Sequence, residues 1–321
     1  MAQKTNLDLV NECDNFPYAS DDPAAFIATM DRYYVFLLEG CKACLGYTPC
    51  KIAEQMPPSI HWNLDKQRRS LTFQPRDDNG GPIKNFGARN KILAEYLQSL
   101  REKKIFKVLD GWRNELYHIY GPKKELLLNM ERSATPLFGV VTYGVHMTGY
   151  VMTDQGMKIW APRRALIKQT YPGMMDNTVA GGLSAGEKPF ECLEREAEEE
   201  ASLPADVVRS AQACGTLTYF HVRDSRAGGE TGLCQPECQY VYDLKMPADV
   251  IPKPGDDEAI DFQLLTVEEV QNAMAAGKFK PNCAHLLLEF FVRHGILTPE
   301  NEPDYVEIVA RLHRKLEFPT P

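Results

Sequence analysis

Three glutamates, Glu196, Glu199 and Glu200, stand at i, i+3 and i+4 within Pro189–Ala201, a segment of helical character. That spacing projects all three carboxylates from one helix face. Like charges so placed repel by roughly a few tenths of a kcal/mol per exposed pair. A divalent cation turns the repulsion into a binding site. Hard oxygen donors suit Mg2+ or Mn2+, ions that keep part of their water and bind substrate phosphates directly. Phe190, Leu193, Ala197 and Ala201 supply an apolar face for burial. Gly181 and Gly182 let the backbone turn tightly before the helix. Acidic helices are also common as plain solvated faces, so the neighbouring residues must decide.

Gly181 is followed after five residues by Glu187, and Glu187 after seven by Arg195-Glu196. Glu199-Glu200, Ser202 and Leu203 complete a pattern 23 positions long. This pattern resembles the Nudix signature, with Ala197 at its aliphatic position and Ser202 replacing its last glycine. The substitution concerns helix termination, where glycine eases a left-handed residue. The resemblance implies that Glu196, Glu199 and Glu200 hold the metal. It also implies that Arg195 and Glu187 pair to brace the loop against the helix, both serving catalysis with Glu199.

Lys168–Val179 before the box, Ala227–Gly232 and Gln235-Pro236-Glu237 after it, Tyr240–Leu244, and Gly111–Tyr117 upstream narrow the family. Together they are similar to the fungal and plant Nudix proteins related to the domain fused to thiamine pyrophosphokinase, over roughly residues 25–297. The resemblance implies Mg2+-dependent hydrolysis of thiamine diphosphate and its oxidised (oxo and oxy) analogues to monophosphates, in a stand-alone form. The Lys168–Gly173 stretch also resembles isopentenyl-diphosphate isomerase. That enzyme needs a cysteine before its box and a histidine within it, where this chain has Thr178-Val179-Ala180-Gly181-Gly182. Other diphosphates, such as a nucleoside diphosphate sugar or coenzyme A, remain alternatives, as does a non-catalytic ligand sensor.

The elements that must position this chemistry form an α/β chain. Val141–Met152 alternates like a strand, with Lys158–Pro162 as its partner across Asp154-Gln155-Gly156. Gly215–Val222 and Gln239–Leu244 are β-rich; Thr266–Ala276 and Cys283–His294 are helical in pattern. Upstream, Pro23 opens an expected helix carrying Phe26, Met30, Tyr33, Tyr34 and Leu37 on one face. Phe86–Lys103 reads as a second helix, and Ile60–Leu64 and Ser70–Gln74 as short strands. The expected fold is a Nudix α/β/α sandwich with a mixed sheet, preceded by a smaller α+β domain. The expected divisions are 1–125 for the N-terminal domain, 126–297 for the Nudix domain, and 298–321 for a C-terminal helix (Pro303–Lys315) and tail.

Further site residues are expected outside the box. Glu237, before a strand, is a ligand or general base, and Glu230 a weaker choice for the same work. Lys168, Arg163 and Arg164 can meet phosphates, with Gln169 beside them. Trp112, Arg113 and Glu115 offer a stacking surface and polar handles to a heterocycle. Cys41, Cys44 and Cys50 lack a second pair at zinc spacing. His118, His146, His221 and His285 read as packed or surface residues.

Composition bounds the partners. With 321 residues, 44% of them hydrophobic, the chain can bury a large core. A net charge of −8 argues against nucleic acid and membrane surfaces. Nine irregularly spaced cysteines suit reduced thiols and a cytoplasmic enzyme. No segment has the composition of a signal peptide or the apolar length of a membrane span. The expected partner is a small diphosphate metabolite, bound by a monomer or homodimer.

Overall fold

The computed structural model describes residues 3–321. The first elements are α1 (Asn6–Cys13), α2 (Pro23–Met30), β1 (Tyr33–Leu38), β2 (Gly46–Pro49), α3 (Cys50–Gln55), β3 (Trp62–Asp65), β4 (Ser70–Phe73) and α4 (Phe86–Glu102). The helix expected from Pro23 through Leu37 is corrected: it stops at Met30, and Tyr33–Leu38 is a strand. Tyr34, Phe36 and Leu38 alternate into the core there, as a pleated strand requires. The four strands form a sheet of order β2-β1-β4-β3, with β1 and β4 parallel. Leu93, Leu97 and Leu100 of α4 are fully buried in the same core.

A hairpin of β5 (Leu116–Tyr120) and β6 (Leu126–Glu131) and the short α5 (Thr135–Phe138) lead into the larger sheet. That sheet comprises β7 (Thr142–Thr153), β8 (Gly156–Arg164), β9 (Val179–Gly182), β10 (Gln212–Val222), β11 (Cys234–Lys245) and β12 (Ala259–Thr266). Its order is β10-β11-β7-β8-β12, with β9 added against β7. The β7–β11 pair is parallel and the others antiparallel. Alternation along the strands gives the sheet two apolar faces. Val145, Met147, Trp160, Tyr242 and Leu244 pack on one side with α6 (Pro189–Ala201) and the short α7 (Ala205–Val208). Ile159, Ala161, Leu217 and Val241 pack on the other with α8 (Val267–Ala275) and α9 (Pro281–Arg293). The result is the expected α/β/α sandwich with a mixed sheet and an α+β region before it.

The chain ends fold together on this sandwich. Leu9, Val10 and Cys13 of α1 enter the α9 core. The last helix, α10, spans only Tyr305–Arg311, which corrects the expected Pro303–Lys315. Its continuation runs alongside β10 instead: Thr218 N–H donates to Leu312 and Arg314 N–H to Thr218. Buried Arg314 then pairs with buried Asp14 at 3.1 Å and stacks over Tyr18 at 4.0 Å. Among the described residues no helix is long and apolar enough to cross a membrane.

Candidate active site

The signature segment folds as strand, loop and helix. β9 crosses beside β7, with Gly144 opposite Gly182 and Val145 opposite Gly181. The loop then turns back into α6, where Pro189 at the first turn is compatible with helix geometry. Cys192, Leu193, Ala197 and Ala201 are buried beneath the helix. Glu196, one turn on from Cys192, is buried against β9 as well, and a Cβ on Gly181 would collide with its carboxylate. Glycine is required there by close approach. Ser202 ends the helix at φ 50°, in the left-handed region; a non-glycine residue there carries about 1–2 kcal/mol of strain.

Arg195 is the hub of the box. Its Nε and Nη2 donate to Glu187 at 2.8 and 3.1 Å, and its Nη1 donates to Glu196 at 2.9 Å and Glu199 at 3.0 Å. Burial pushes the Glu187 carboxyl up, but Arg195's hydrogen bonds and charge outweigh it and hold Glu187 below its ordinary value. Burial raises Glu196 above the usual carboxylate range, against the pull of Arg195 and Arg132. Burial, reinforced by Glu196, raises Glu200 further, although Ala180 N–H donates to it at 3.0 Å. The acidic side chains are thus crowded with too little compensating charge.

All three box glutamates line one cavity of about 950 Å³. Of the other expected residues, Arg113, Glu115, Lys168, Gln169, Arg195 and Glu237 also line it, as does Arg164. Lys168 is ion-paired to Glu258 at 2.5 Å; burial lowers its pKa despite that partner. Arg164 is committed to Asp176 at 2.5 Å. Glu115 bridges Arg132 (2.9 Å) and the Ser184 hydroxyl (3.0 Å), tying the β5 hairpin to the box loop. Glu187 braces Arg195 from just outside the cavity wall. Glu237 sits on β11 opposite Thr142 of β7, and accepts from the Tyr219 hydroxyl and from Gln239 at 2.8 Å. β9 and β11 flank β7, so about 10 Å separates Glu237's strand from the box strand.

Three expectations are corrected. Trp112 does not line the cavity. Its ring packs on the α4 core under Arg101, whose guanidinium lies 5.0 Å from the ring centroid, and its indole N–H donates to Asn114. Arg163 points along the edge of β8 to Asp261 at 3.3 Å. Glu230 accepts the backbone N–H groups of Lys107 (2.6 Å) and Val108 (3.0 Å), clamping a 3-10 turn of the first region. A carboxylate so engaged is a structural tie.

Tertiary folding adds residues that local spacing did not single out. Asp256, Asp257 and Glu258 line the cavity from a loop docked on the end of α6, through Gly255 N–H to Glu200 carbonyl. Tyr117, Arg132, Tyr219, His221, Arg223, Lys280 and Asn282 complete much of its wall. The acidic run after Gly255 and the Lys-Pro-Asn start of α9 were visible signals, but nothing local tied them to the box. His146 also faces the cavity; burial holds its pKa down to about 4, so it is neutral near pH 7.

The residues fit a divalent cation. The donors are hard oxygens, Gly181 is spared a side chain where Glu196 needs room, and the carboxylates lack sufficient counter-charge. Among the described residues, no three such groups already converge as a finished site. Arg195 holds Glu196 and Glu199 turned toward itself, so occupancy requires these side chains to swing.

Comparison with known proteins agrees with this geometry. The NUDIX domain model matches residues 143–286, and a domain of unknown function (DUF4743) matches 81–142. An uncharacterised protein of Saccharomyces cerevisiae is 38% identical over 81% of this chain and 75% of its own length. Nudix hydrolase 20, chloroplastic, of Arabidopsis thaliana is 34% identical over 96% of this chain and 83% of its own. Nudix hydrolase 24, chloroplastic, of the same plant is 30% identical over 92% and 80%. Likeness at this level across both regions, not the box alone, makes the chain a member of the Nudix family and a hydrolase of pyrophosphate bonds.

Proposed function

We propose that the enzyme hydrolyses thiamine diphosphate and its oxo and oxy analogues to the monophosphates and phosphate. The observation that carries the reaction type is the single cavity in which Glu196, Glu199 and Glu200 meet Arg113, Arg132 and Lys168. The substrate class rests on the family resemblance of residues 25–297, with a cavity roomy enough for a two-ring diphosphate.

Glu196, Glu199 and Glu200 would hold Mg2+ or Mn2+. When bound, the ion neutralises charge on the diphosphate and lowers the pKa of water. Lys168 and Arg113 orient the phosphates, and Arg195 keeps Glu196 in register through its fork to Glu187. Glu199 takes the proton of the attacking water. Both oxygens of Glu237 already accept hydrogen bonds from Tyr219, Gln239 and Gln235, whereas Glu199 is exposed and held by Arg195 alone. The water oxygen bonds to the terminal phosphorus, the bridging P–O bond breaks, and the monophosphate leaves.

The test is turnover of thiamine, oxothiamine and oxythiamine diphosphates beside ADP-ribose, with Mg2+ and with chelator. Expected are metal dependence, higher kcat/KM for the oxidised analogues, and a loss of at least about 100-fold in Glu200→Gln. A clear preference for ADP-ribose refutes the thiamine assignment; unchanged turnover in Glu200→Gln removes the box from the reaction.

A further inference from the structure

The wall of the cavity holds several aromatic rings yet offers little free apolar surface. Tyr117, Tyr143, Tyr171 and Tyr219 line it, but their exposures are 5%, 6%, 6% and 1%. Their ring faces are already covered by protein and are not free to stack on a ligand. Trp112, the aromatic residue expected to do so, lies outside the wall. Among the described residues, branched aliphatic side chains occur in the lining at two positions, Val108 and Ile167. Val108 is partly buried against the core of the first region. Ile167 is 78% exposed, and of the exposed large apolar side chains among the described residues it alone lines the cavity.

The loop that carries Ile167 is tied down on both sides of it. Ala165 N–H donates to the Glu258 carbonyl at 2.8 Å, and Lys168 Nζ pairs with the Glu258 carboxylate at 2.5 Å. Arg164 donates to the carbonyls of Thr170 and Tyr171 at 2.9 and 3.2 Å. Gln169 is wedged against two other loops: a Cβ on Gly111 would fall 2.6 Å from its Oε1, and one on Gly228 2.7 Å from its carbonyl oxygen. Ile167 is therefore held at the cavity by fixed backbone on either side. A large aliphatic side chain kept in water forfeits burial free energy, which a ligand covering it recovers. Leu166 beside it, 75% exposed, lies over Gly173 and takes no part in the lining. Lys168, which orients the phosphates, follows directly and lines the same cavity. Neighbouring Cα atoms are about 3.8 Å apart, so charge for a diphosphate and apolar surface for an organic group adjoin.

We infer that Ile167 is a specificity-determining residue: an aliphatic shelf on which the organic ring of the substrate lies while Lys168 holds the diphosphate. This deepens the thiamine reading above and rests on it for the identity of the ring. Thiamine, oxothiamine and oxythiamine all present flat ring faces, whether or not the thiazole keeps its charge. The shelf therefore serves all three alike, and it separates ring-bearing diphosphates from those without an organic group.

The experiment measures KM and kcat for the ring-bearing diphosphates in the wild type, Ile167→Ser, Ile167→Phe and Leu166→Ser. Beside them it measures Ki for imidodiphosphate, which has the phosphates and no ring. Both side chains are exposed, so each variant should fold. Ile167→Ser should raise KM for the thiamine, oxothiamine and oxythiamine diphosphates about tenfold, the order expected for lost apolar contact with a substrate. Its kcat and imidodiphosphate Ki should stay within about twofold, as for a contact made equally in ground and transition states. Ile167→Phe, with a larger apolar face, should hold KM at or below the wild-type value, and Leu166→Ser should leave it as it is. If the wild type cleaves ADP-ribose and not the thiamine compounds, the thiamine assignment fails, and KM for ADP-ribose reports on the shelf in the same variants. An unchanged KM in Ile167→Ser, an equal rise in Ile167→Ser and Ile167→Phe, or a rise matched by the imidodiphosphate Ki overturns the inference. So does a change confined to oligomeric state, which would make Ile167 a contact between copies of the chain.

Discussion

The Arg195–Glu187 brace sets up a thermodynamic cycle in which stability and turnover can be read separately. Arg195→Gln removes the fork of 2.8 and 3.1 Å to Glu187 and the bonds of 2.9 and 3.0 Å to Glu196 and Glu199. Glu187 and Glu196 keep side-chain exposures of 17% and 11%, so each would be left largely desolvated without its cation. Breaking a fully buried pair costs about 3–5 kcal/mol. Arg195 is itself 36% exposed, and solvent screening brings the expected loss to about 1–3 kcal/mol. Glu187→Gln alone should cost less, because Arg195 retains Glu196 and Glu199. The double variant should be more stable than the sum of the two losses implies, with a coupling of about 1–2 kcal/mol. Urea unfolding in the presence of chelator measures the cycle; Mg2+ should shrink the Arg195→Gln loss by restoring counter-charge at Glu196. Turnover should fall by about 100-fold in Arg195→Gln, the order expected when a reacting group is misplaced by roughly 1 Å. Strict additivity together with undiminished kcat would refute the claim that this brace positions Glu196.

Gly181→Ala should lower kcat by about 100-fold and stability by about 1–3 kcal/mol, because the new Cβ displaces Glu196; a fully active, equally stable variant contradicts the close approach. Glu230→Ala should cost about 1–2 kcal/mol by orphaning the Lys107 and Val108 amides, with kcat unchanged; a collapse of kcat at intact stability would return Glu230 to the chemistry. Burial holds His285 down to about 4, below its ordinary 6.5, and leaves both ring nitrogens unpartnered. The unfolded chain takes that proton first, so the stability from neutral His285 is complete above pH 6.5 and is lost as pH falls toward 4. His285→Leu should flatten the decline in unfolding free energy by up to about 1.4 kcal/mol per pH unit in that window. His146 keeps a slope of its own, and an unaltered slope in His285→Leu counts against burial of the neutral ring.

Much of the box could be read from the chain alone. Residues 181–203 are contiguous, and helix periodicity places Glu196, Glu199 and Glu200 on one face whatever surrounds them. The Glu187–Arg195 pair spans the end of one loop and about two turns of helix, so its geometry too is nearly local. The strands 142–153 and 156–164, and the helices after 188, 266 and 280, follow from alternation, capping residues and period. Local pattern failed where burial on several sides replaced it. Tyr33–Leu38 is apolar in nearly every position, so helix and strand periods both fit, and pairing with β2 and β4 decides for strand.

Only the tertiary structure separated the aromatic and charged residues with similar local signals. Trp112 and Arg113 are neighbours, yet one packs on α4 and the other faces the cavity. Arg163 and Arg164 alternate across β8, one to the edge and one inward to Asp176. Glu230 precedes β11 and Glu237 lies near its start, but one holds backbone amides of the first region and the other lines the site. The cavity wall gathers Arg113, Lys168, Arg223, Glu258 and Lys280 from loops and element ends far apart in sequence. Their proximity comes from the parallel β7–β11 pairing and from the packing of α9 on the sheet. Helix periodicity acts over a few residues and is encoded within them; strand order and loop docking depend on the burial of distant surfaces, which no short segment specifies.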